Sequence, residues 1–342
     1  MKSKEVLKHL CTSTGISGEE TSVSEIALTY LKQYAQEAYI DEFNNVIGVI
    51  KKAEKNQPSI LLDAHIDEIG MVVTYIDSNG FLRVSNCGGV DRRLLLGQQV
   101  TICAKQTIPG IIATLPPHLT GTEEKKVPDI DDILIDIGMS YQEAQKVVRL
   151  GDRVMIHSEF CDLLGSRISS KALDDRCGIV AILEALEQLK DKELHCGLTV
   201  LFSAQEETGE RGAAIASYEL NPDIALAVDV SFAHTPDARA HQCGKLGKGV
   251  MIGIAPTLNK KVYQKLIALA KAQQIPFQEE VMGGKTGTNA DVIGVQHGGI
   301  QTGLLSIPLK YMHTPIEVID INDLESVSNL LAQYILSFGG AK

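Results

Sequence analysis

SILLDAHIDEIG, at residues 59–70, joins a short apolar run to a histidine and an aspartate. The run at 59–64 predicts a strand buried on both faces, because such strands are apolar almost throughout. His65 and Asp67 follow at the carboxyl end of this strand, and α/β folds place their functional residues at that end. The stretch therefore predicts one strand of an α/β sheet with functional residues at its edge.

The rest of the chain supplies the other layers of such a fold. Residues 1–36 predict two helices, and residues 38–52 predict a hairpin around Asn44 and Asn45. After Ser166, helical periodicity and apolar runs alternate, as they do in α/β domains. Helices are predicted at 175–189, 260–273 and 322–338, and strands at 198–204, 224–230 and 300–307.

The segment from about residue 70 to residue 163 has a different pattern. Short β-like runs at 71–76, 81–86, 99–104 and 110–115 are separated by turn residues. Closely spaced strands of this kind predict a small β-barrel or sandwich. Ser140 and Glu143 form a capping box that predicts a short helix near 141–148. We therefore divide the chain into an α/β domain, residues 1–69 and 164–342, and an inserted β domain, residues 70–163.

Composition excludes several classes of protein. The 342 residues carry a formal net charge of −11, whereas nucleic-acid binding needs a basic face, so nucleic acid is not expected as a partner. No apolar run approaches the roughly 20 residues that span a bilayer, so no membrane association is expected. The seven cysteines are scattered and form no CxxC pair, which favours reduced thiols and a cytoplasmic location.

Ligand-type residues recur at the ends of the predicted elements. They are His65 and Asp67 after the strand at 59–64, Asp174 at the start of the helix near 175, Glu206 and Glu207 after the strand at 198–204, Asp229 at the end of the strand at 224–230, and His313 after the strand at 300–307. Each alone has an ordinary reading as a cap, a turn or a rim residue. Together, so many carboxylates at one sheet edge would be costly unless a cation neutralised them. A mixed nitrogen and oxygen set suits zinc or cobalt better than calcium or magnesium.

Five segments resemble the M42 metallo-aminopeptidases, a family that includes the deblocking and tetrahedral aminopeptidases. They are DAHIDEIG (63–70), KALDDRCG (171–178), SAQEETGERGA (203–213), AVDV (227–230) and PLKYMHTPIEVID (308–320), in the family's order and across essentially the whole chain. The resemblance implies a mixed-sheet zinc-exopeptidase fold, of the phosphorylase/hydrolase-like kind, in which the α/β domain is catalytic and an inserted small β-barrel mediates dimerisation. One departure is Asn289, where the family commonly has aspartate.

The resemblance also implies roles for single residues. His65, Asp174, Glu207, Asp229 and His313 would hold two divalent metal ions per subunit, zinc or cobalt, with Asp174 bridging them. Asp67 would orient His65, and Glu206 would be the general base towards a hydroxide shared by the metals. Three carboxylates, two divalent ions and one hydroxide bring the local charge to zero, which suits a buried site. Short peptides would be the substrates, and dimers would build a homo-oligomer, a dodecamer.

Three other functions stay open at this point. A two-metal deacylase or carboxypeptidase would use the same kind of metal-ligand set, but its second domain would not be β-rich. A glycoside hydrolase, a cellulase-type label, would use Glu206 and Glu207. Neighbours on one strand point to opposite faces, so this pair is not expected to flank one bond, and the chain has no tryptophan for a sugar platform. A metal-binding or peptide-binding scaffold without activity would leave Glu206 without a role.

Overall fold

The structure is a computed structural model and describes residues 2–114 and 127–339. Its helices are α1 (Ser3–Thr12), α2 (Thr21–Leu31), α3 (Tyr141–Val147), α4 (Leu173–Leu189), α5 (Arg211–Leu220), α6 (Lys260–Ala272), α7 (Ala290–Ile293) and α8 (Ile321–Leu336). Within the described residues, no helix is long and apolar enough to cross a membrane.

The strands fall into three sheets. In chain order they are β1 (Glu37–Ile40), β2 (Val46–Lys51), β3 (Ser59–His65), β4 (Gly70–Ile76), β5 (Leu82–Cys87), β6 (Gln99–Cys103), β7 (Thr107–Ile112), β8 (Leu134–Asp136), β9 (Arg153–Ile156), β10 (Cys161–Asp162), β11 (Arg167–Ser170), β12 (Gly197–Ser203), β13 (Ile224–Phe232), β14 (Val250–Ile254), β15 (Phe277–Val281), β16 (Gln301–Leu309) and β17 (Glu317–Asp320). β10, β11 and β17 form a small sheet beside the main one.

The main sheet is mixed, with strand order β1-β2-β12-β3-β13-β16-β14-β15. Its central strands β12, β3, β13 and β16 are parallel. β2 is antiparallel to β12, and β14 is antiparallel to β16. The helices α1, α4, α6 and α8 share a core with one face, and α5 and α7 pack on the other. Because both faces are covered, every residue of β3 after Ser59 is buried, as its apolar sequence predicts.

The inserted β segment closes into a barrel of six strands in the order β4-β5-β8-β7-β6-β9. Alternate residues of these strands point inward and fill the barrel with aliphatic side chains, among them Met71, Val84 and Ile102. A Cβ atom on Gly110 would lie 2.8 Å from a methyl of Ile135, so the barrel wall packs closely there. α3 begins with the capping box that Ser140 and Glu143 predict.

The sequence prediction of the fold class is confirmed, since the chain combines a mixed α/β sheet with a closed six-stranded barrel. The predicted helices and strands are found within a few residues of their expected bounds. Leu115, the last residue of the fourth predicted β run, lies outside the described residues. The barrel strands lie between Gly70 and Ile156, and the domain boundaries at residues 70 and 163 stay a prediction.

The short strands β8, β9, β10, β11, β14, β15 and β17 were not predicted. The start of α4 also differs from a regular helix, because Asp174 and Asp175 have non-helical backbone angles. Regular helical geometry begins only after these two residues, so both aspartates precede the regular part of the helix.

Candidate metal centre

Parallel strand ends bring the predicted residues to one edge of the main sheet. His65 is the last residue of β3, and its register partner Ser203 is the last residue of β12. Asp229 lies in β13, the neighbour of β3 on the other side. His313 follows β16, the next parallel strand, and Asp174 approaches from the start of α4. The structure therefore brings together all seven site residues that the sequence indicates.

A first donor group consists of His65, Asp174 and Asp229. The Nε2 atom of His65 lies 2.9 Å from Oδ1 of Asp174 and 4.0 Å from Oδ1 of Asp229. All three side chains are buried. The Nδ1 atom of His65 lies 3.1 Å from the carbonyl oxygen of Asp67, which can only accept a hydrogen bond. Nδ1 therefore carries the proton, and Nε2 is the nitrogen left to bind a metal.

A second donor group consists of Asp174, Glu207 and His313. The Nε2 atom of His313 lies 3.2 Å from Oε1 of Glu207 and 3.4 Å from Oδ2 of Asp174. Its Nδ1 atom lies 3.1 Å from the carbonyl oxygen of Gly89, so this imidazole also directs Nε2 at the carboxylates. The two oxygens of Asp174 thus face different histidines, one in each donor group.

Gly89 shows that the barrel segment reaches this site. A Cβ atom at residue 89 would lie 2.6 Å from Nδ1 of His313, so only glycine allows the loop to approach the imidazole. The sequence indicated no contact between the inserted segment and the site residues. The loop after β5 nevertheless fixes the orientation of His313 through a backbone carbonyl.

The electrostatics of the cluster show a shortage of positive charge. Burial raises the pKa of Glu206 to about 9, and the neighbouring Asp229 and Glu207 add to the rise. Burial also raises the pKa values of Glu207 and Asp229. Burial lowers the pKa of His313, but its contacts with Asp174 and Glu207 outweigh this effect and raise the pKa to about 11. Carboxylates packed this closely need a cation among them.

The donor chemistry fits divalent metal ions. Zinc binds histidine nitrogen and carboxylate oxygen at about 2.0–2.2 Å, so the ligand atoms of one tetrahedron lie roughly 3.3–3.6 Å apart. The atoms of each donor group all lie within 4.8 Å of one another. Both histidines have one ring nitrogen held by a carbonyl and the other directed at carboxylates, the usual arrangement for metal-binding histidine.

Asp67 contacts both His65 and the loop that carries Glu206 and Glu207. It is fully buried, and its Oδ1 atom lies 3.4 Å from Nδ1 of His65. The backbone N–H of Glu206 donates to Oδ1 at 3.0 Å, and that of Glu207 donates to Oδ2 at 3.2 Å. Asp67 therefore positions the loop with both glutamates as well as the imidazole.

The expectation that Glu206 and Glu207 point to opposite faces is wrong. β12 ends at Ser203, and the chain then turns at Gln205, whose φ is +57°. The alternation of a strand does not apply to this turn, and both glutamates line the same cleft.

Sequence reasoning missed Glu317, a fully buried carboxylate in β17. Its Oε2 atom accepts the backbone N–H of Asp174 at 3.2 Å, and its Oε1 atom accepts that of His313 at 3.0 Å. Burial raises its pKa, and the two N–H donors oppose the rise. An available signal was an acidic residue between the apolar residues Ile316 and Val318, four positions after His313.

A buried ion cluster supports the loop that follows β3. Arg176 donates to Oε1 of Glu68 at 3.0 Å and to the carbonyl oxygen of Ile66 at 3.2 Å. Lys171 lies 2.7 Å from Oε2 of Glu68. These bonds tie the start of α4 to the segment that carries His65 and Asp67.

Asn289, the departure from the family pattern, contacts residues of β3 and β12. Its amide nitrogen donates to Oδ2 of Asp63 at 2.9 Å and to the hydroxyl oxygen of Ser203 at 2.8 Å. It belongs to neither donor group. An amide at this position supplies a donor to a buried carboxylate, which an ionised aspartate could not do.

The donor groups open into a cleft of about 480 Å³. Small-ligand sites commonly have volumes of roughly 300–1,000 Å³. The cleft is lined by residues of both donor groups and by other residues of β13, β15 and β16. It can therefore hold a small ligand beside the donor groups.

The comparisons with known proteins agree with this geometry. The profile of a family described as M42 glutamyl aminopeptidase matches residues 44–330. The lysyl aminopeptidase of Pyrococcus furiosus is 34% identical over 332 residues, which cover 95% of this chain and 94% of that protein. The TET aminopeptidase of Thaumarchaeota archaeon SCGC AB-539-E09 has a similar structure, with a TM-score of 0.92 and 32% identity over 98% of this chain and 96% of that one. The Pyrococcus horikoshii TET1 peptidase, which can assemble into a tetrahedron or a large octahedral shell, gives a TM-score of 0.87 and 33% identity over 98% and 99%.

Proposed function

We propose, since the chain belongs to the M42 glutamyl aminopeptidase family, that its cleft removes N-terminal residues from short peptides with two divalent metal ions. Family membership and relatives over nearly the full length make the chain an aminopeptidase. The number of metal ions, their identity and the residues that hold them are the proposal.

The observation that carries the proposal is the pair of donor groups that share Asp174. His65 and Asp229 would complete one metal site, and Glu207 and His313 would complete the other. Zinc or cobalt suits these mixed nitrogen and oxygen donors. When bound, two such ions polarise the scissile carbonyl and lower the pKa of water.

Glu206 is the residue that we assign to proton transfer. It lines the cleft and belongs to a cluster with His65 and Glu207, yet the two complete donor groups do not require it. Its carboxylate would take a proton from the attacking water and deliver it to the departing amine. Asp67 accepts a hydrogen bond from the backbone N–H of Glu206 and so holds the backbone of Glu206 in position.

The domain division, assembly and location belong to the same proposal. We assign residues 1–69 and 164–342 to the catalytic domain and residues 70–163 to a barrel through which dimers form. By analogy with the TET1 peptidase, which can assemble into a tetrahedron or a large octahedral shell, we propose that these dimers build a dodecamer. All seven cysteines are unpaired, which supports a cytoplasmic location.

The test uses aminoacyl p-nitroanilides and their N-acetylated counterparts. Metal is removed with a chelator, the protein is reloaded with zinc, cobalt or manganese, and bound metal is measured by elemental analysis. We expect activity only on free amino termini, restored by metal at a content near two per chain. Restoration at one ion per chain would contradict the two-metal proposal, and equal cleavage of acetylated substrates would contradict the aminopeptidase assignment.

Two further substrates address the alternatives. A carboxypeptidase would cleave a peptide with a blocked amino terminus and a free carboxyl terminus, whereas this enzyme should not. A glycoside hydrolase would release sugar from carboxymethyl cellulose, and that activity should be absent in the metal-loaded protein. The two glutamates that line one cleft make this second control necessary.

A further inference from the structure

Besides the two donor groups, the cleft contains a further carboxylate site around Glu280. This residue lies in the edge strand β15 and lines the cleft. Its Oε2 atom accepts a hydrogen bond from the hydroxyl of Ser306 at 2.7 Å, and its Oε1 atom accepts one from the hydroxyl of Ser231. Both serines also line the cleft, so the carboxylate is held in place from two strands.

The backbone fixes this carboxylate relative to the metal ligands. Ser231 follows Asp229 by two residues in β13, so both side chains face the same side of the sheet, about 7 Å apart along the strand. Ser306 is the register partner of Asp229 on the adjacent strand β16. β14 separates β15 from β16, and the residue of β14 beside Glu280 is Gly253. The side chain of Glu280 reaches Ser306 across that strand.

Glu280 has no cationic partner among the described residues. Burial raises its pKa, and only the hydroxyls of Ser231 and Ser306 oppose the rise. The described residues that line the cleft include no lysine or arginine. Lys285 is exposed, and Glu210, which also lines the cleft, is the carboxylate whose pKa it lowers. A cation entering the cleft would therefore find an oriented carboxylate with no competing partner.

Part of the cleft lining suits an aliphatic stem. Leu304 shares the face of Ser306 by strand alternation, and Met282 directly follows the last residue of β15. Both line the cleft, as does Met312. Lysine and arginine side chains bury their methylene stems along apolar surface and extend a charged head beyond it. An acidic side chain would instead place a second carboxylate beside Glu280.

We propose that Glu280 selects substrates whose N-terminal residue is lysine or arginine, by pairing with the cationic end of that side chain. This inference rests on the proposed function, because it places the first residue of the peptide between the metal ligands and Glu280. The family is described as glutamyl aminopeptidases, whereas the relative from Pyrococcus furiosus is a lysyl aminopeptidase, so family membership alone does not determine this specificity.

The experiment compares pairs of p-nitroanilides that differ in charge but little in size. Lysyl is paired with norleucyl, arginyl with citrullyl, and glutamyl with glutaminyl, all on the metal-loaded enzyme at pH 7.5. In the wild type, kcat/KM should be higher for the cationic member of each basic pair and lowest for glutamyl. Glu280→Gln should reduce the lysyl-to-norleucyl ratio about 10- to 100-fold, as loss of a charge-assisted hydrogen bond implies. Norleucyl turnover should remain near the wild-type value.

Glu279→Gln is the matched control, because Glu279 is exposed and its side chain points to the other face of β15. It removes the same charge from the same strand and should leave the ratio unchanged. An equal loss for all substrates in Glu280→Gln would overturn the proposal, since it would indicate binding of the α-amine or structural support. If that variant does not fold, the wild type decides, and a lysyl rate no higher than the norleucyl rate overturns the proposal. Absence of wild-type activity on every substrate would instead contradict the proposed function.

Discussion

Replacing Glu317 by glutamine tests whether one buried carboxylate holds both donor groups in place. The two oxygens of Glu317 accept the backbone N–H groups of Asp174 and His313. Glutamine has nearly the same shape but only one acceptor oxygen, and its NH₂ group would face the second N–H. One buried donor is then left without an acceptor, whichever way the amide turns.

The expected magnitude follows from those two contacts. A buried donor left unsatisfied costs about 1–3 kcal/mol, so the metal-free protein should lose stability on that scale. Asp174 belongs to both donor groups and His313 to one, so displacing either backbone should weaken metal binding. Loss of an outer partner that orients metal ligands typically lowers affinity about 10- to 100-fold.

Two measurements separate these effects. Urea unfolding of the metal-free protein gives the change in stability, and zinc titration against a chromophoric chelator gives the affinity of each ion. Glu325→Gln is the control, because Glu325 is exposed on the adjacent helix α8. A Glu317→Gln protein with unchanged zinc affinity for both ions would refute the reasoning, even if its stability fell.

Three further predictions concern the catalytic base, the ligands and the assembly. Glu206→Gln should keep about two metal ions per chain and lower kcat by at least roughly 10²-fold. The control Glu219→Gln changes an exposed glutamate of α5 and should leave kcat unchanged. Near-normal turnover in the metal-loaded Glu206 variant would contradict a role of this residue in proton transfer. His65→Ala should lose metal outright on dialysis, whereas Asp67→Asn should weaken affinity by about 10- to 100-fold; equal metal content by elemental analysis would contradict that distinction. Light scattering at micromolar concentration should give a mass near twelve times the 37.0 kDa monomer, and a mass of one or two monomers would contradict the dodecamer.

The central sheet was predictable because its signals are local. The run at 59–64 is apolar on both faces, and the ligand-type residues follow such runs within a few positions. Parallel strands then bring those positions to one edge without any further information. The turn at Gln205 was not predictable in the same way, because the strand alternation ends at Ser203 and the sequence does not mark that end.

The contacts of Glu317 and Glu280 could not be predicted from the sequence, for a different physical reason. Each lies on a short strand whose position depends on pairing with a distant part of the chain, β17 with β11 and β15 with β14. An isolated glutamate in a short run reads equally well as a solvated edge residue. Only the pairing shows that Glu317 accepts the backbone N–H groups of Asp174 and His313, whereas Glu280 accepts two hydroxyls and has no cationic partner among the described residues. The first arrangement satisfies the carboxylate within the chain, and the second leaves it available to a substrate.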